Sequence, residues 1–172
     1  MNCPALPHAL VDFRDPLSVA GWFPIDDRIM GGVSQSRLHH HPAGHAVFDG
    51  EVSLERNGGF ASVRSRPGAW GAPGARASLI EARGGAGKQF KLTLFMDDGV
   101  DSLSYQASFT ADTSDWQDLR LPIETFQASF RGRVVPGAAP LEPALIRQVG
   151  LMIAAQQAGH FALDIRQISL AR

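Results

Sequence analysis

An all-β, jelly-roll-like sandwich is the fold this sequence predicts, on three observations. Apolar residues recur at every second position, Gly, Pro, Asn and Asp punctuate the segments, and sustained helical periodicity is missing. Strands wet on one face must bury the other against a second sheet, so eight or more of them in one chain imply a sandwich. At 172 residues the chain is read as a single domain over 1–172, long enough to bury one sizeable core.

Taken in order, Asp15 before Pro16 predicts a single capped helical turn. Residues 26–38, "DDRIMGGVSQSRL", place two glycines before an alternating Ser34, Ser36 and Leu38. They read as a special turn feeding an extended segment, with Gly31 and Gly32 supplying backbone freedom. "HHHPAGH" (39–45) is expected to be a solvated loop. "AVFDGEVSL", "GFASVRSR" and "ARASLIEAR" are the next strands, and "GGAGKQ" reads as a hairpin turn. "QFKLTLFM" alternates Phe90, Leu92, Leu94 and Met96 inward. "LSYQASFT" does the same with Leu103, Tyr105, Ala107 and Phe109, and the intervening "DDG" is a turn. "WQDLRL", "RQVGLMIAA" and "HFALDIRQISL" complete the strands, the last with Phe161, Leu163 and Ile165 on one face. "LEPALIRQ" predicts one more short turn, cut by Pro143, while "RPGAWGAPGAR" and "VVPGAAPLEP" are surface loops.

Composition narrows the function. A content of 44% apolar and 19% charged residues is ordinary for a globular chain, and a formal net charge of −1 argues against a general affinity for nucleic acid or anionic lipid. Cys3 is the one cysteine, which excludes an intrachain disulfide framework and a cysteine-rich zinc site. The start lacks a basic region followed by an apolar one. No later stretch approaches the roughly 20 apolar residues of a spanning helix. The expectation is a soluble, cytoplasmic chain with no integral membrane segment and no nucleic-acid partner.

No stretch assembles a reaction. "GGAGKQ" has Ala82 where a phosphate loop needs its first Gly and Gln89 where it needs Ser or Thr, and it leads into a strand rather than a helix. His39 and His41 can share a strand face, yet no acidic or sulfur ligand lies in the local turn, so no metal is expected. The pairs Asp26–Asp27 and Asp97–Asp98 are adjacent carboxylates that diverge, and Ser34 lacks the Gly-x-Ser-x-Gly elbow. No catalytic residue and no cofactor is assigned; a calcium in an acidic loop is left open.

The stretch "DDRIMGGVSQS" resembles the Asn/Asp-Asp-x-Val-Met-Gly-Gly-x-Ser signature of the complex I intermediate-associated protein 30 family. "FDGEVSLERNGGFASVR", "WQDLRLPIETF", "RGRVV" and "VGLMIAAQQAGHFALDIRQI" resemble its later blocks in order, across nearly the whole chain. The matching positions are Asp27, Met30, Gly31, Gly32, Ser34, Gly58, Gly59, Phe60, Arg64, Trp116, Pro122, Phe126, Gly132, Gly159 and Phe161. Asp26 stands where Asn is common, and "AAQQAGHF" where the family often has an acid and a Pro. The resemblance implies a galactose-binding-domain-like sandwich and a role in assembling respiratory NADH dehydrogenase complex I; without a targeting segment the chain looks like a bare, bacterial-type domain.

These readings lead to an expectation of a non-catalytic protein-binding or assembly domain whose partners are respiratory-complex subunits. The binding surface is assigned to Asp26, Asp27, Arg28, Met30, Gly31, Gly32, Ser34, Gly58, Gly59 and Arg64, with the acids and Arg28 near Arg64 at the sandwich surface. The alternative is a carbohydrate or small-ligand module with Tyr105, Trp70 or Trp116 as an aromatic platform. Trp116 and Phe161 are expected mainly as core residues.

Overall fold

The computed structural model describes residues 8–27 and 31–172. Their strands are β1 (His8–Asp12), β2 (Phe23–Pro24), β3 (Gln35–His41), β4 (His45–Val52), β5 (Ala61–Arg64), β6 (Ala77–Arg83), β7 (Gln89–Phe95), β8 (Ser104–Thr110), β9 (Gln117–Pro122), β10 (Gln127–Phe130), β11 (Arg133–Val134), β12 (Gln148–Ile153) and β13 (Gly159–Ala171). One antiparallel sheet runs β3-β4-β13-β6-β9, with β1 also on β13; the other runs β11-β10-β8-β7-β12-β5-β2.

Alternation explains why these segments pair as they do. Phe90, Leu92 and Leu94 of β7 and Tyr105, Ala107 and Phe109 of β8 turn inward, against Phe48 of β4 and Leu163 and Ile165 of β13. Phe48, Phe90 and Phe161 meet edge to face, with centroids 4.9 to 6.2 Å apart, so Phe161 is a core residue as expected. In β13 a register shift between Ile165 and Gln167 changes the parity of the buried side chains. Ile168 and Leu170 are therefore inward after Phe161, Leu163 and Ile165.

The short turns follow their caps. Asp15 accepts from the Leu17 N–H at the head of the 3-10 turn Pro16–Val19, and Glu142 accepts from the Ala144 N–H ahead of Pro143–Leu145. Two turn readings need correction. His39 to His41 finish β3 and His45 opens β4, so this run is the hairpin of an edge strand rather than a solvated loop. "GGAGKQ" is not a hairpin: it carries the chain from β6 in one sheet to β7 in the other, with positive φ at Gly84, Ala86 and Gly87.

Trp116 is also a correction. It lies half-buried on the outer face of the six-stranded sheet. The guanidinium carbons of Arg83 and Arg166 are each 4.4 Å from its ring, and His45 meets it edge-on at 5.4 Å. The two guanidinium groups cover the indole there.

Candidate functional site

The segment that opens β3 is organised by Asp27, which is 1% exposed. Its Oδ1 accepts from the Ser34 N–H at 2.9 Å; its Oδ2 accepts from the Ser34 hydroxyl at 2.6 Å and the Gly59 N–H at 2.8 Å. Burial pushes the carboxyl up, but the bonds from Ser34, Gly59 and Phe60 outweigh it and hold the group below the usual aspartate range. Two glycines make room. A Cβ on Gly32 would lie 2.4 Å from Asp27 Cγ, and one on Gly58 would lie 2.5 Å from Oδ2. Gly31 alone of the first pair has positive φ, at 88°.

Asp26 repeats the device one residue earlier. It is 8% exposed and accepts from the Ser36 N–H at 3.1 Å, the Ser36 hydroxyl and the Ser62 N–H at 3.0 Å. Here burial dominates, and the three bonds only partly offset it, so the carboxyl stands above its ordinary value. Ser34 and Ser36, two residues apart, direct their N–H groups to the edge of β3 away from β4. The two carboxylates thus take the place of a neighbouring strand. They join the rim of one sheet to Gly59 and Ser62 at the start of β5 in the other.

Asp26, Asp27, Gly31, Gly32, Ser34, Gly58 and Gly59 are therefore brought together, but the two acids and Ser34 are buried and bonded to their own chain rather than displayed. Arg28 and Met30 lie outside the described residues. Arg64 is elsewhere: it crosses the outer face of the seven-stranded sheet, its guanidinium carbon 3.7 Å above the Phe95 ring, and donates to the Gly99 and Val100 carbonyls. Burial pulls its pKa down to about 10, with Asp97 acting in the opposite sense. Gly150 lies between the two strands. A Cβ there would meet Thr93 Oγ1 at 2.4 Å.

Arg64 is one of four anchors for the loop joining β7 to β8. Gln148 Nε2 donates to the Asp97 and Gly99 carbonyls, Arg147 pairs with Asp98, and Arg131 pairs with Asp101. Val100 is left 59% exposed at its tip. Beyond the loop, the same face carries Lys91, Gln106, Ser108 and Gln127, with Lys91 Nζ 3.3 Å from Gln106 Oε1. The anchors escaped sequence reasoning because each lies about 30 or more residues from its target. Nothing local in the sequence signals such pairs.

The expected aromatic platform is not assembled. Tyr105 is 2% exposed and donates its hydroxyl proton to the Ala139 carbonyl, Trp70 packs against the core, and Trp116 lies on the other sheet. Across the β3–β4 hairpin the His41 and His45 rings stack at 4.6 Å. Burial holds His45 below the ordinary histidine range, with Asp164 only partly compensating. Among the described residues no three His, Cys, Asp or Glu side chains form a set that could hold a metal ion, and no helix is long and apolar enough to cross a membrane.

The fold has counterparts among solved structures. A family 11 carbohydrate-binding module from Clostridium thermocellum, solved with a β-1,3-1,4-mixed-linked tetrasaccharide, is similar at 16% identity and a TM-score of 0.68 over 96% of this chain and 95% of that one. The family 11 module of the cellulase Lic26A-Cel5E of the same organism gives 14% identity and a TM-score of 0.71 over 99% and 97%. An exo-β-agarase is similar over 95% of this chain and 25% of its own, at 10% identity and a TM-score of 0.57. These likenesses show the β-sandwich fold. No curated protein matches in sequence. The family model described as Complex I intermediate-associated protein 30 (CIA30) matches residues 11–165, nearly the whole chain. The residues that staple β3 to β5 fall inside that match, and the chain belongs to the CIA30 family.

Proposed function

We propose that this domain works by recognition rather than catalysis, binding a protein partner during assembly of a respiratory NADH dehydrogenase complex. The observation that carries the reading is the family match over residues 11–165, whose description names association with a complex I intermediate. In this reading Asp26, Asp27, Gly31, Gly32, Ser34, Gly58 and Gly59 frame the surface, and Arg64 positions the 96–103 loop. Contact falls to that loop and to Ser108 and Gln127 beside it. The affinity-tagged chain should capture complex I subunits from detergent-solubilised membranes of its own source. Ser108→Arg with Gln127→Arg should lower that capture at unchanged melting temperature, and Arg28→Ala and Met30→Ala test the contact role expected for those two. A capture free of complex I subunits rejects the assembly reading.

A second reading is carbohydrate recognition, favoured by the hydrogen-bonding groups of Lys91, Gln106, Ser108 and Gln127 on one sheet face. Calorimetry with a β-1,3-1,4-mixed-linked tetrasaccharide should then give saturable heat with a Kd below about 1 mM, weakened in Lys91→Ala. No heat with that sugar or with other glucans and galactans removes this reading.

A further inference from the structure

Among the described residues five strands pair on one side only, β1, β2, β3, β9 and β11, and β1 is interrupted by a register shift between Ala9 and Val11. β2 and β11 are two residues long, and at the start of β3 the outward N–H groups of Ser34, just before the strand, and Ser36, within it, are taken by Asp27 and Asp26. β9 is different: it is six residues long, ends the six-stranded sheet, and pairs with β6 on one side only. The Ile123 N–H donates to the Arg76 carbonyl, so odd-numbered residues along this strand bond toward β6. The even-numbered Asp118 and Arg120 direct their main-chain N–H and C=O groups outward. Pro122, also even, places its missing N–H on the same free edge. Both Asp118 and Arg120 are exposed, and neither side chain takes part in an ion pair among the described residues.

We propose that the β9 edge is a docking surface for a second copy of this chain, paired antiparallel about a two-fold axis through Leu119. The register follows from charge and hydrogen-bond direction together. Two outward edges pair only even residues with even ones, which leaves centres at 118, 119 or 120. Centring on 118 opposes two aspartates, and centring on 120 opposes two arginines and sets Asp118 against a proline. Centring on 119 sets each Asp118 opposite the other copy's Arg120, twice, and brings the half-buried Leu119 side chains together. The two six-stranded sheets become one continuous sheet. A contact this small belongs to the weak end of specific interfaces, so the dimer is concentration-dependent.

Sedimentation velocity on the whole chain, from micromolar to about 1 mM, tests it. The expected result is a monomer–dimer equilibrium. Asp118→Arg alone and Arg120→Asp alone should each weaken it at least about tenfold, because each sets like charges opposite one another. An equimolar mixture of those two variants should associate as a heterodimer, and the double exchange Asp118→Arg, Arg120→Asp should restore self-association. Circular dichroism and melting confirm that each variant is folded. A monomer throughout overturns the proposal. So does a dimer indifferent to either reversal, or a mixture that stays monomeric.

Discussion

Asp26 and Asp27 are neighbours with opposite electrostatic characters. Asp27 is held below its ordinary value of 3.8, so its ionised form stabilises the fold above that pH, and this contribution is lost as pH falls through the lowered value. Asp26 is raised above 3.8, so folding favours its protonated form. Its contribution is fully present below 3.8 and lost as pH rises through the raised value. One isosteric change should therefore read differently at the two positions. Asp26→Asn retains an acceptor for Ser62 and the Ser36 hydroxyl but turns its NH2 toward the Ser36 N–H; removal of the resisted charge offsets that loss, so at pH 7 it should stay within about 1 kcal/mol of the parent. Asp27→Asn turns an NH2 toward N–H or hydroxyl donors, and should cost about 1–3 kcal/mol in urea unfolding. The Asp26→Asn protein should also lose the gain in stability that its parent shows as pH falls toward 3.8. In the core, Phe161→Ala should cost about 3–5 kcal/mol, since two phenylalanine rings lose their edge contact with it.

The glycine turn before β3 behaves as an element with two different requirements. Gly31 has positive φ with open space around its Cβ position, so Gly31→Ala should cost roughly 1 kcal/mol of strain. Gly32 is bound by contact instead, and Gly32→Val should cost several-fold more because it displaces the Asp27 carboxyl; comparable melting of the two variants would reject this division. "DDRIMGGVSQS" announced a special turn because glycine pairs and alternating serines are local signals. The sequence could not tell which glycine needed the angle and which the space, since the crowding atom belongs to a side chain folded back over the turn. The strands of 89–95, 104–110 and 159–171 were legible for the same local reason: seven or more residues of period two. β10 and β11 were not, being four and two residues long and held by pairing rather than pattern. Arg64 was misplaced beside the acids because its targets, Gly99 and Val100, lie 35 and 36 residues away. Hydrogen exchange should report this tether. Arg64→Ala should quicken exchange across residues 97–103 while leaving the protection of β7 and β12 unchanged.

At the scale of the whole molecule the sandwich is closed from two sides. The core joins the inner faces, and the carboxylates join β3 to β5 at the rim, where two sheets would otherwise part. The strand at the centre of the six-stranded sheet is β13, which binds β1 and β4 along one side and β6 along the other. It is also the last strand of the domain to be synthesised. A growing chain therefore carries β1, β4 and β6 with no middle strand to join them, and His8 waits for Leu170 until the remaining strands have been made. Such long separations make folding slow, on the order of milliseconds to seconds, and keep apolar strand edges uncovered meanwhile. Nascent chains stalled before residue 159 should be protease-sensitive throughout and bound by chaperones, acquiring resistance in one step once residues 159–171 are added. For a domain read as a helper in the assembly of others, its own completion depends on the last thirteen residues of its sheet.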